Sequence, residues 1–223
     1  MSDAPPPPPP PESFGAPPPA GGGGDIGAAL SYGFKKYSEN IVPMLVVVLA
    51  PLVLQTAVFL IGFLIVKGFF GIILFEILAF LVGAIAQVGI YRVALQITAG
   101  EKADVNKAYS YDRWGEWIVF SLVFGLMVSV GLALCIIPGL FVLAFFGLAP
   151  FYFIDQRMSL GDALNASRTA ASQKSLALPV LLAVIVGYIG IVVCFVGFLV
   201  TAPAGFIAVS FLYRYAAGQS VPA

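Results

Sequence analysis

Apolar and polar positions fall into blocks of very unequal length. Over residues 26–40, Ile26, Ala29, Leu30 and Phe34 recur at helical spacing, while Lys35, Lys36 and Glu39 are polar. This pattern predicts an amphipathic helix lying at a membrane surface, with Asp25 as its N-cap. From residue 41 the texture changes to long apolar runs. A helix needs about 20 residues to cross roughly 30 Å of hydrocarbon. Runs at 41–66, 71–91, 117–135, 139–154, 176–196 and 199–213 predict six transmembrane helices. The fourth and sixth are short and read as arms of tight hairpins through 136–139 and 197–198. Pro43, Pro51, Pro150, Pro179 and Pro203 fall inside these runs. Membrane helices tolerate proline where neighbours satisfy the freed carbonyls, at the cost of some kinks.

The basic residues test this map. With the N-terminus in the cytoplasm, Lys35, Lys36, Arg92, Lys102, Lys107, Arg113, Arg157, Arg168, Lys174 and Arg214 all lie inside. Only Lys67 is left outside. The positive-inside rule therefore favours an even number of spans in the plasma membrane, with both termini cytoplasmic.

An internal repeat is also visible. Gly131-Leu-Ala-Leu-Cys135 matches Gly190-Ile-Val-Val-Cys194 at an offset of 59, which places Asp155 opposite Arg214. A polar helix precedes each hairpin, beginning near Ile26, Asn106 and Leu160. The predicted fold is all-α and polytopic, with six transmembrane helices built as three surface-helix-plus-hairpin units. Every copy enters from the same side, unlike the inverted repeats of many transporters. The domain occupies 25–217, between a tail of 1–24 and a short end of 218–223.

The tail has its own composition. Residues 5–11 are seven consecutive prolines, 17–19 are three more, and 21–24 are glycines. Proline runs adopt polyproline II and glycines act as a flexible joint. The segment reads as disordered, either a spacer or a ligand for a protein partner. It lacks the basic and apolar regions of a signal peptide.

Composition narrows the function classes. Of the 223 residues, 60% are hydrophobic and 10% charged, against about 45–50% and 25% in soluble domains. That excludes an ordinary soluble protein, and disorder over most of the length. The formal net charge is zero, so no global basic field points to nucleic acid. There is no histidine, which removes the commonest general base and zinc ligand. Cys135 and Cys194 sit in apolar runs without metal-ligand spacing; they read as packed thiols or as a disulfide on the outer side. No phosphate loop or nucleophile–base pair is present. Neither a cofactor nor a metal is expected, nor an enzymatic activity.

Two groups of residues remain as candidates. Glu76 is the only acid inside a predicted span, and Gln55 and Gln87 are the strongly polar residues of the first two spans. A carboxylate in hydrocarbon is a functional candidate by default. Glu76 could hold a proton or a cation, or reach the headgroups and pair with Lys67; the glutamines could share a polar path with it or join packed helices. Arg92, Asp155 and Arg214 lie at the inner ends of spans two, four and six. They could form a cytoplasmic polar ring that binds lipid headgroups, or serve as interfacial anchors.

Gln87-Val-Gly-Ile-Tyr-Arg92, Ala99-Gly-Glu101, Cys135-Ile-Ile-Pro-Gly139, Leu148-Ala-Pro-Phe-Tyr-Phe-Ile-Asp155 and Ser159-Leu-Gly-Asp-Ala-Leu-Asn-Ala-Ser167 together carry a resemblance. Over residues 25–217 the chain resembles a broad group of six-helix bacterial membrane proteins, which includes the membrane domain fused to some glycerophosphodiester phosphodiesterases. Its tail is similar to those of proline- and glycine-rich transmembrane proteins of actinobacteria, mycobacteria especially. The resemblance implies a fold and a membrane location. It lends no activity, since the soluble phosphodiesterase barrel is absent. The expected function is a structural or accessory component of a membrane or envelope assembly, with the bilayer and a protein bound through 1–24 as partners. The alternative is a carrier or channel for a lipid or small solute. A membrane enzyme using cytoplasmic carboxylates is the third reading. Oligomeric state does not follow from the sequence.

Overall fold

The computed structural model describes residues 24–65, 67–192 and 197–222. The proline run and the predicted tail up to residue 23 lie outside the described residues, as does Cys194. The described residues form helices and no strand: α1 (Ile26–Glu39), α2 (Ile41–Ile65), α3 (Phe69–Thr98), α4 (Val105–Tyr109), α5 (Trp114–Leu134), α6 (Ile136–Phe146), α7 (Ala149–Asp155), α8 (Leu160–Gln173), α9 (Ala177–Val192) and α10 (Phe198–Ala217).

Five stretches are long and apolar enough to cross a membrane: α2, α3, α5, the continuous pair α6–α7 and α10. A sixth is reached only if α8 and α9, bent by 108° at their junction, count as one span. The expected span at 176–196 is described as α9 up to Val192; residues 193–196 lie outside the described residues. The expected short sixth span is instead a helix of 20 residues. Span two also outruns its prediction, continuing from Tyr91 to Thr98. The added turns bury Val93, Ala94, Leu95, Gln96, Ile97 and Thr98, so tertiary burial extends the helix where hydropathy alone declines.

Local chemistry sets the helix ends. The polar helices α1, α4 and α8 start at Asp25, Asp104 and Ser159, whose side chains accept backbone N–H groups of the first turn. Such caps satisfy donors that the helix itself cannot. Helix α3 ends at Gly100 (φ 76°), where Gly100 N–H donates to Ile97 O and Glu101 N–H donates to Gln96 O. This paired closure needs a left-handed residue and favours glycine. Helix α8 closes the same way on Ser175 (φ 54°), with Leu176 N–H donating to Ala171 O; the sharp bend into α9 follows from it. Of the five prolines, only Pro51 and Pro203 interrupt a helix. Pro43, Pro150 and Pro179 stand in first turns, where the missing N–H costs nothing.

Small residues decide the close packing. A Cβ on Gly205 in α10 would lie 2.9 Å from the Gly187 Cα and 3.1 Å from the Ala183 carbonyl of α9. The two backbones therefore touch, and Thr201 Oγ1 donates to Gly187 O at 3.0 Å. Helix α1 runs antiparallel along α10. Gly24 faces Tyr215, Gly33 faces Ala204 and Ala208, and Tyr37 Oη donates to Leu199 O at 3.0 Å. Ala29, from the face expected to lie on the bilayer, is buried with Gly33 and Tyr37, and Gly33 lets the α1 and α10 backbones approach closely; Phe34 of that expected face stays exposed.

The core collects where α3, α5, α7 and α10 converge. Tyr91 packs edge-on against Trp117, Phe151 and Phe206. Trp117 stacks on Phe120 and donates its Nε1 to Ala84 O at 2.8 Å. Far from this centre, the α2–α3 hairpin closes on itself, with Gly62 pressed against the Phe75 ring. Its outer turns present Phe63, Leu64, Phe69, Phe70 and Leu74, each at least 70% exposed. That surface requires an apolar surrounding.

Candidate functional site

The three intramembrane polar residues do not form one site. Glu76 stands exposed on α3 between Ile73, Leu74, Ile77 and Leu78, all exposed. It makes no hydrogen bond or ion pair with a described residue, Lys67 included. Gln55 is half-buried in α2, and its Oε1 is buried without a partner. Gln87 shares the stripe of Glu76, being 11 residues, or about 16 Å, further along α3. Its side chain lines a cavity described below.

Arg92, Asp155 and Arg214 serve three different junctions, and no hydrogen bond or ion pair joins any two of them. Arg92 Nη1 donates to Ala108 O (3.0 Å) and Ser110 O (2.6 Å), the terminal carbonyls of α4. Its guanidinium also lies 5.5 Å from the centre of the Tyr111 ring. It thereby ties the 99–113 connection to α3, and Gln96 Oε1 reinforces this tie by accepting the Asp104 N–H at 2.8 Å. Arg214 Nε donates to Thr98 Oγ1 at 3.0 Å, and Thr98 in turn meets Ser210 Oγ at 2.8 Å. This fixes the end of α10 to the end of α3. Asp155 accepts from Tyr213 Oη at 2.5 Å and from Gln219 Nε2 at 3.0 Å. The phenol is buried while the carboxylate is exposed, so the bond runs from core to rim.

The two connecting loops are joined by charge. Arg157 donates two hydrogen bonds to Asp112, at 3.1 and 2.6 Å. These bonds hold the Asp112 carboxyl below the usual carboxylate range and raise the guanidinium. Both groups are fully exposed, so the pair is well screened. Beside it, burial raises the Tyr111 phenol, against the opposing pull of Arg113 and Arg157. Arg113 pairs with Glu116 and covers the Phe153 ring at 4.9 Å.

A cavity of about 300 Å³ lies between α3, α5, α6, α9 and α10. Gln87 and Tyr91, Ser121 and Gly125, Tyr188, and Phe206 represent four of its walls. It exists because α5 packs along α6 and meets α3 at Trp117, but makes no extended contact with α9 or α10. None of its lining residues is charged. The Ser121 hydroxyl is buried there without a hydrogen-bond partner. The sequence marks Gln87 as polar in an apolar span, but Ser121 looks like any other small residue there. Only the stand-off of α5 makes it part of a site.

Among the described residues, no group of three His, Cys, Asp or Glu side chains is placed to hold a metal ion. Cys135 is a free, exposed thiol at the α5–α6 turn. No family model matches the chain, and no curated protein or solved structure matches it either.

Proposed function

We propose that the chain is an accessory component of a membrane assembly rather than an enzyme. Glu76 carries this reading. A carboxylate amid exposed apolar side chains is costly in hydrocarbon unless a donor meets it, and the described residues supply none. A neighbouring protein with a cation or hydroxyl would satisfy it. The α2–α3 hairpin, which extends its apolar surface away from the core, is a suitable arm for such a contact.

The bundle is three copies of a polar helix followed by a hairpin, and α1, α4 and α8 each precede an apolar pair as that scheme requires. The tail of 1–24 reaches a second partner. The membrane is the plasma membrane, with both termini cytoplasmic. The kinship is with the six-helix bacterial membrane proteins and the proline- and glycine-rich actinobacterial proteins named above. The orientation is tested with a membrane-impermeant maleimide on intact cells, in a Cys194→Ala background. Labelling of Cys135 from outside supports it; labelling only after lysis overturns it.

The function is tested by crosslinking and mild extraction from native membranes. The full chain, a chain lacking residues 1–24 and Glu76→Leu are compared. A stoichiometric partner that is lost with either change supports the accessory role. A monomer or homo-oligomer in all three preparations overturns it. The central cavity favours a second reading, a carrier for a lipid or small solute. That reading requires flux in liposomes that responds to Glu76→Gln.

A further inference from the structure

The cavity between α3, α5, α6, α9 and α10 has a shape and chemistry of its own. At about 300 Å³ it is roughly twice the size of an apolar cavity that admits benzene, about 150 Å³. A chain segment of roughly a dozen carbons fits that space. Apolar cavities stay dry unless several polar groups can hold a water. Aliphatic and aromatic side chains dominate this lining. In a bilayer the available apolar molecules are lipids.

Five polar side chains line the cavity, Gln87, Tyr91, Ser121, Ser129 and Tyr188, and two of them narrow the class. The Ser121 hydroxyl is buried, with 7% of the residue exposed, and has no partner. A buried unpaired hydroxyl is unfavourable, and a ligand acceptor relieves it. Gln87 offers an amide on the facing helix α3, with no hydrogen bond of its own among the described residues. No charge lines the space, so a phosphate or carboxylate would enter without compensation. The ligand is therefore neutral and carries a hydrogen-bond acceptor beside its chain. We infer that the cavity binds the chain of one neutral carbonyl-bearing membrane lipid, with the carbonyl accepting from Ser121 and Gln87. An acyl ester and a long-chain quinone share this chemistry. The inference requires neither the accessory nor the carrier reading.

Gly125 makes the test clean. It faces the cavity from α5, and an added Cβ there would meet nothing within 4 Å. Leucine at this position starts from an unobstructed Cβ and takes up space in the cavity. The wild-type chain, Gly125→Leu and Ser121→Ala are purified in one mild detergent, and retained lipid is measured by mass spectrometry. Each is then titrated with dioleoylglycerol, a polyprenyl quinone or anionic phosphatidylglycerol, and thermal unfolding is followed. The wild type is expected to retain about one neutral lipid per chain, and its Tm to rise with the diacylglycerol or the quinone. Whichever of the two acts identifies the source. Gly125→Leu is expected to lose at least nine-tenths of the retained lipid and the Tm response, and Ser121→Ala to weaken binding roughly fivefold to tenfold. Should Gly125→Leu fail to fold, Ser129→Leu, also on the cavity wall, takes its place. Equal retention in wild type and filled variant, a response to phosphatidylglycerol alone, or no lipid and no response each overturn the inference.

Discussion

Replacing Gly33 with alanine probes the close crossing of α1 over α10. A Cβ at this position would stand 2.4 Å from the Ala204 carbonyl oxygen and 3.2 Å from the Ala208 Cβ. Neither is the flexible end of a side chain. Helix α1 must therefore retreat by at least about 0.6 Å merely to reach 3.0 Å, the limit of real Cβ contacts. A gap of about 0.5–1 Å forfeits a quarter to a half of the local dispersion energy, and overpacking of this kind costs about 1–3 kcal/mol. Alanine also favours a helix over glycine by about 1 kcal/mol, which would mask part of the effect. Gly83→Ala in α3 supplies the reference, because a Cβ there meets nothing within 4 Å. The propensity gain is common to both variants and cancels in their difference. Thermal unfolding in one detergent should place Gly33→Ala below Gly83→Ala by about 1–3 kcal/mol, or roughly 2–12 °C for a chain of this size. A double-mutant cycle adds a second readout: Tyr37→Phe, which removes the bond to Leu199, should cost less in the Gly33→Ala background. If Gly33→Ala is as stable as Gly83→Ala, the close crossing of α1 over α10 is wrong, and so is the packing argument built on it.

Other consequences are accessible to the same measurements. Tyr213→Phe removes the donor to Asp155 and the acceptor for Gln156 and should destabilise by about 1.5 kcal/mol; an unchanged Tm would show that the core-to-rim bond contributes nothing. Ser175→Gly relieves a left-handed residue at the α8–α9 bend and should stabilise by about 1 kcal/mol, unless the bend itself is absent. The Asp112 carboxyl is depressed by its hydrogen bonds from Arg157. Its contribution is therefore present above the free value of about 4 and is lost as pH falls through the lower folded value. Asp112→Asn should lower stability slightly above pH of about 4 and flatten the acid limb, with no change below the folded value; an unaltered profile would refute the pairing.

Much of the helix plan follows from one-dimensional chemistry. Runs of apolar residues longer than a bilayer is thick can only be helices with every backbone group paired internally. Asp25, Asp104 and Ser159 stop the chain's apolar logic and cap polar helices, because a short side-chain oxygen satisfies the first free N–H groups. Gly100 ends α3 because it adopts a left-handed turn without strain. These are local effects, and the sequence by itself determines them. What it could not determine depends on which elements meet. Hydropathy declines after Tyr91, yet α3 continues to Thr98, because Arg214, Ser210 and Asp104 supply partners for its last turns. The amphipathic face of α1 is equally suited to lipid or protein. Only Gly33 opposite Ala204 sets α1 against α10. Arg92, Asp155 and Arg214 look alike as helix-end charges, but each is aimed by its own helix rotation at a different junction. The cavity beside Ser121 arises from a place where α5 does not close onto α9 and α10, and such a stand-off comes from the packing of all the helices together. Residue order sets each helix's length, caps and apolar faces, but the space left between helices is a property of the assembled bundle alone.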